Sequence, residues 1–287
     1  MTRSRRKPRR RLAFAVGIAG AIVGSTFTPA CDRLKEPEFD LENLYSYTPA
    51  PIAVMLTAAE VNGRINYPLI ARDYADYIDR FVELCAEHGP RSEPTVYYES
   101  RHRAAYYVNV HNGLILQTWM RHGAGTGDVD LRFDPAWRDA RIHRVDGQTV
   151  SINDVAELAL RQGHRFVPLV LASGTVTGPP IPARPLPTET FERALDHHAR
   201  VFLSDERAVQ RVPTADGAGY VYYAPPVLRE HAHQLGDLEE LLDRFVPELY
   251  PHKLDLLQAA HLGTLRFREP SDRIHLPGTP LSSPSLP

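Results

Sequence analysis

The stretch Ala104-Ala105-Tyr106-Tyr107-Val108-Asn109-Val110-His111-Asn112-Gly113-Leu114-Ile115-Leu116-Gln117-Thr118-Trp119 decides how this chain folds. It is mostly apolar, and its length suits a helix running through a core. Two Asn and one His interrupt it. Asn109 and Asn112 stand three residues apart, so a helix puts them on one face, with His111 beside them. A buried amide without partners costs on the order of 1–3 kcal/mol. The polar positions therefore either anchor a hydrogen-bonded network inside the fold or line a cleft.

The rest of the chain can bury such a helix. It has 287 residues, 43% of them hydrophobic, which suffices for one sizeable core. The formal net charge is -2, but it is unevenly spread. Residues 1–30 hold seven of the 33 Lys and Arg and no acid, which leaves 26 basic against 35 acidic residues, a net of -9, for the remainder. An acidic body has no basic face for phosphates, so no nucleic-acid partner is expected. The only cysteines are Cys31 and Cys85, too few for a disulfide framework or a Cys-rich zinc site.

The N-terminus reads as an export signal. Arg3, Arg5, Arg6, Lys7, Arg9, Arg10 and Arg11 form a basic start, an apolar run from Leu12 to Phe27 follows, and Thr28-Pro29-Ala30-Cys31 ends it. A small residue directly before a Cys has the form of a lipoprotein processing site, with Cys31 as the lipidated residue. The alternative is an uncleaved anchor, for which the run is somewhat short. In both readings the body lies outside the cytoplasm, in the cell envelope, on the periplasmic side or the cell surface. The membrane is then a partner through the N-terminal lipid or anchor. Residues 1–31 are thus the signal, 32–56 a tether, 57–269 the domain, and the Pro- and Ser-rich 270–287 a disordered tail.

Within the domain, Thr57-Ala58-Ala59-Glu60 has the form of a capping box. Leu69, Ile70, Tyr74, Tyr77, Ile78, Phe81, Val82 and Cys85 recur at helical spacing, which places Cys85 on a core stripe. Arg141 to Val150 predicts a tight hairpin around Asp146-Gly147, and Ser151-Ile152-Asn153-Asp154 caps a further helix. Phe166-Val167-Pro168-Leu169-Val170-Leu171-Ala172 is a candidate strand, although Pro168 confines it to an edge or a bulge. A helix follows from Thr188. Two strands flank Asp216-Gly217, and Asp237 caps another helix. Irregular alternation with short connections predicts a single α+β domain. Its helix-rich N-terminal half packs on a small antiparallel sheet, with more helices at the C-terminal end.

These segments, in this order, resemble the domain of unknown function 547 (DUF547) family over most of residues 57–268. Val61-Asn62-Gly63-Arg64-Ile65-Asn66-Tyr67 is similar to that family's opening dGrvdY element. Ala105 to Gly113 resembles its AFWINxYNA signature, with Tyr107 in place of Trp and His111 in place of Tyr. Ser151 to Glu157 resembles its helix start, and Phe166 to Pro180 its strand and loop. The resemblance implies the α+β fold and adds Glu157 to the polar cluster of Tyr107, Asn109, His111 and Asn112. It implies no established activity. Many bacterial members carry a His and a Cys in the strand-loop element, whereas Phe166 to Pro180 contains neither.

The residues themselves offer little reactive chemistry. Cys85 sits on a core stripe, and Ser173 lacks the Gly-x-Ser-x-Gly turn of a nucleophile elbow. His231-Ala232-His233 and His197-His198 have suggestive spacings, but neither pair shares a helical face, so no metal and no cofactor is expected. Two classes of function stay open. One is an envelope protein that binds a peptide, a glycan or a protein partner without turnover. The other is a hydrolase or transferase with a papain- or transglutaminase-like frame that uses the His111 cluster.

Overall fold

The computed structural model of the protein describes residues 41, 44–61, 64–123, 134–175, 177–205, 208–248, 250 and 252–270. The expected signal with Cys31, the first part of the tether, residues 124–133 and the tail beyond Pro270 lie outside the described residues.

In chain order, helix α1 (Ala50–Ala59) leads into the short hairpin β1 (Glu60–Val61) and β2 (Arg64–Ile65). The turn α2 (Tyr67–Leu69), a π-helical segment Ile70–Tyr74 and helix α3 (Ala75–Glu87) form one rod. Helix α4 (Ser100–Arg121) follows, then the single turn α5 (Ala136–Asp139), hairpin β3 (His143–Val145) and β4 (Gln148–Val150), and helix α6 (Ile152–Leu160). The second half carries α7 (Phe191–Leu203), β5 (Gln210–Pro213), β6 (Tyr220–Ala224), α8 (Pro226–Glu230), α9 (Ala232–Leu235), α10 (Leu238–Phe245), α11 (Lys253–His261) and β7 (Arg266–Phe267). This is a single α+β domain with small, chiefly antiparallel sheets. The only parallel pairing among the described strands is β7 on β6. No helix among the described residues is long and apolar enough to cross a membrane.

The architecture is a helix held between two cores. With 22 residues, α4 spans roughly 33 Å. Tyr106, Val110 and Leu114, at i, i+4 and i+8, pack with Ile52, Met55, Ile78 and Phe81 from α1 and α3. Ala104, Ala105 and Val108 pack into a second cluster with Phe166, Phe191, Leu195 and Phe245. Because both sides are covered, every residue from Val108 to Trp119 is buried, Asn109, His111, Asn112 and Gln117 included. The closest approach is at Gly113, where a Cβ would meet Phe81 Cε1 at 2.5 Å, so only Gly lets α3 lie this near to α4.

The α3 C-terminus shows how local sequence is fastened to the rest. Its last carbonyls would lack partners. The Asp146-Gly147 turn supplies them, with the Asp146 N–H donating to the Cys85 carbonyl (2.7 Å) and the Gly147 N–H to that of Ala86 (2.8 Å). Tyr106 Oη donates to the His88 carbonyl at 2.7 Å. Both turn residues have positive φ, 49° and 74°, as a tight hairpin of this type requires. The Ser151 capping box forms as expected, Ser151 Oγ accepting from Asp154 N while Asp154 caps Ser151 N. Asp237 likewise caps α10.

Three expectations need correction. Residues 44–56 do not serve as tether. Tyr47 packs edge-on to Tyr106 (4.7 Å between centroids), and Ile52, Met55 and Leu56 are core, so the packed domain begins well before residue 57. Thr57 therefore lies near the end of α1 and starts no helix; Pro49 and Pro51, apparent breakers, sit at its first turn, where a missing N–H costs nothing. The strand expected over Phe166 to Ala172 is replaced by a 3-10 turn, Val167–Leu169, built around Pro168.

Candidate functional site

That turn explains the polar face of α4. Without a neighbouring strand, the backbone around residue 171 must find other partners. Asn112 supplies them, its Nδ2 donating to the Val170 carbonyl (3.1 Å) and its Oδ1 accepting from Ala172 N–H (2.9 Å). Asn109 does the same for Leu186, donating to its carbonyl at 2.9 Å and accepting from its N–H at 2.8 Å. A side-chain amide presents the donor and acceptor of a peptide group, so each Asn stands in for one rung of a β-ladder. Asn109 and Asn112 are thus fasteners, each tying a distant loop to the central helix.

The Asn112 contacts also fix the chemistry of His111. Both backbone partners force the carboxamide oxygen toward His111 Nδ1, 3.1 Å away. An amide oxygen only accepts, so Nδ1 carries the proton and Nε2 holds a lone pair. His111 is 3% exposed, and no group among the described residues bonds to its Nε2. Burial pushes its pKa down from 6.5 to about 4, and the nearby Arg138 guanidinium acts in the same direction, against the Asn112 hydrogen bond. The ring is therefore neutral at pH 7.

His111 lines a cavity of about 530 Å³. The α6 face contributes Asn153, Ala156, Glu157 and Leu160, and the loop after the 3-10 turn contributes Leu171, Ser173, Thr175 and Pro179. Arg138 from α5 and Val227, Glu230 and His231 from the α8 region complete the wall. Arg138 donates to the Ser173 carbonyl. Burial lowers its proton affinity, and Glu230 and Asp139 oppose that. The α5 turn is held in place by Trp137, stacked on His122 at 3.7 Å, and by Asn153 Nδ2, which donates to Asp139 at 2.7 Å. Burial also pushes the His231 pKa down, with Glu230 and Glu157 pulling the other way, so these carboxylates share its neighbourhood.

The residues singled out from sequence thus divide. His111 and Glu157 meet at the cavity. Asn112 positions His111 from behind, and Asn109 acts structurally. Tyr107 is not among the lining residues; its ring sits edge-on to Tyr106, and Asp146 and Arg103 are its charged neighbours. Glu157 is exposed and pairs with Arg161 at 3.2 Å, so it does not join the hydrogen-bonded network. Ser173, weighed from sequence as a nucleophile, lines the cavity, whereas Arg138, Glu230, Thr175 and Pro179 were not legible as site residues, because only the fold brings them to His111.

Among the described residues, neither the Cys85 thiol nor the Ser173 hydroxyl is aligned with this base. The Cys85 thiol is fully buried in the core, and burial pushes its pKa well up. Ser173 Oγ accepts from Thr175 N–H at 3.1 Å and lies 3.2 Å from Thr175 Oγ1; it is crowded by Gly178, where a Cβ would stand 2.1 Å away. Neither residue is bonded to His111. The His231 and His233 rings are 6.4 Å apart, and no group of three or more His, Cys, Asp or Glu among the described residues could hold a metal ion.

The neutral His111 has a pH signature. The unfolded chain binds this proton near pH 6.5, the folded chain only near 4. The stability contributed by His111 is therefore complete above about pH 6.5 and is lost as the pH falls toward about 4. The loss is on the order of 3 kcal/mol. Urea denaturation across this range is expected to give a His111→Gln variant whose stability declines less steeply than the parent's; parallel curves would contradict a neutral buried ring. His198, also pushed down to about 4 by burial and by His197, contributes equally to both proteins and cancels in the comparison.

Comparison with family models, with curated proteins and with solved structures returns no match for this chain.

Proposed function

We propose that this chain is an exported protein of the cell envelope, of the DUF547-like kind, held at the membrane through a lipid on Cys31 or an uncleaved N-terminal anchor. We infer that its cleft binds an envelope peptide or glycan without turning it over. The export reading rests on the basic, apolar and small-residue succession of residues 1–31. One observation carries the binding reading: the cavity presents an oriented, neutral imidazole acceptor, and neither the Cys85 thiol nor the Ser173 hydroxyl, among the described residues, is aligned with it. A volume of about 530 Å³ lies in the range of small-molecule sites. A hydrolase or transferase is the second reading, favoured by the open Nε2 of a His oriented by an amide, an arrangement that suits a general base.

Incubating the full chain with mixed envelope peptides and saccharide fragments separates the two. Binding predicts a raised melting temperature and recovery of the bound molecule unchanged. Conversion that disappears in His111→Gln establishes the second reading, and absence of any shift overturns the first.

A further inference from the structure

The cleft's acceptors narrow the ligand class, an inference that rests on the binding reading. Its floor is His111 Nε2, a lone pair at neutral pH that no described residue bonds, on a residue 3% exposed whose other ring nitrogen is held by Asn112. Its rim carries Glu230, which makes no ion pair with any described residue, and Glu157, whose only ion pair among the described residues is with the exposed Arg161. Arg138, the one Arg or Lys among the described lining residues, donates to the Ser173 carbonyl and has Glu230 and Asp139 as charged neighbours. His231, lowered by burial, adds no charge at pH 7. An anionic ligand would meet a lone pair at the floor and carboxylates at the rim, with Arg138 alone in its favour. A ligand that donates at the floor and is cationic at the rim satisfies both. Leu160, Leu171, Pro179 and Val227 offer apolar surface for the C–H faces between.

We propose that the cleft selects ligands bearing a primary ammonium group, placed against Glu230, together with a hydroxyl or amide N–H that donates to His111 Nε2. Two sources share this chemistry, an amino sugar and the free N-terminus of a peptide. Calorimetric titration of the full chain at pH 7 with glucosamine, N-acetylglucosamine, glycylglycinamide and N-acetylglycylglycinamide tests it and tells the sources apart. At least one free amine is expected to bind about tenfold or more tightly than its acetylated counterpart, since a charge-assisted hydrogen bond is lost on acetylation. Glu230→Gln, an exposed change that leaves the melting temperature unaltered, is expected to remove that preference. Acetylated forms binding as tightly as the amines, or an unchanged preference in Glu230→Gln, overturns the ammonium assignment and leaves the binding reading standing. Failure of all four probes together with the mixed envelope fragments overturns both.

Discussion

Asn112→Ala lowers the melting temperature by roughly 6–12 °C, at about 2–4 °C per kcal/mol for a domain of this size. Removal of the amide strands the Val170 carbonyl and the Ala172 N–H inside the protein, and it unlocks His111 Nδ1. Each buried group left unsatisfied costs about 1–3 kcal/mol, and the total comes to about 3 kcal/mol. The site suffers as well, because without the carboxamide oxygen nothing prescribes which ring nitrogen keeps the proton. Calorimetry of parent and variant checks the loss. An unchanged melting temperature would mean that the loop around residue 171 is held by something other than the central helix.

Gly174→Ala is expected to be more damaging, by roughly 3–5 kcal/mol, which sums an overpacking cost and the cost of a left-handed backbone for Ala. Gly174 has φ +86°, and a Cβ there would lie 2.2 Å from Trp119 Cζ2. The indole cannot withdraw, since it is 1% exposed and Tyr67 packs edge-on against it at 5.2 Å. The loop would have to move instead, and Ser173 and Thr175, which wall the cavity, would move with it. Gly217→Ala provides the comparison, with φ +69° and nothing within 4 Å of the added Cβ. It is expected to cost only about 1–2 kcal/mol, the backbone part alone. Urea midpoints at constant slope measure both variants; equal losses would show that the contact with Trp119 does not decide the position.

What could be read from sequence was what the chain encodes locally. The central helix announced itself by a long apolar run, the hairpin by Asp146-Gly147, and the α6 and α10 starts by Ser151 and Asp237. The failures share a cause in long-range context. Phe166 to Ala172 is as apolar as a strand, but an amide from a distant helix satisfies its backbone in a strand's place. Pro49 and Pro51 read as tether and turn out to open a helix whose apolar face lies in the core. At the site, His111 was legible because a polar ring in an apolar helix is anomalous. Arg138 and Glu230 were not, since each is an ordinary charged residue until the fold sets it beside that ring.

The protonation of the His111 imidazole is read most directly by nitrogen NMR of its ring at pH 7, with His111→Gln supplying the assignment. Nδ1 is expected in the protonated range and Nε2 in the unprotonated range, with both protonated only near pH 4. A ring protonated on Nε2, or doubly protonated at pH 7, would contradict an acceptor held open to the cavity by Asn112.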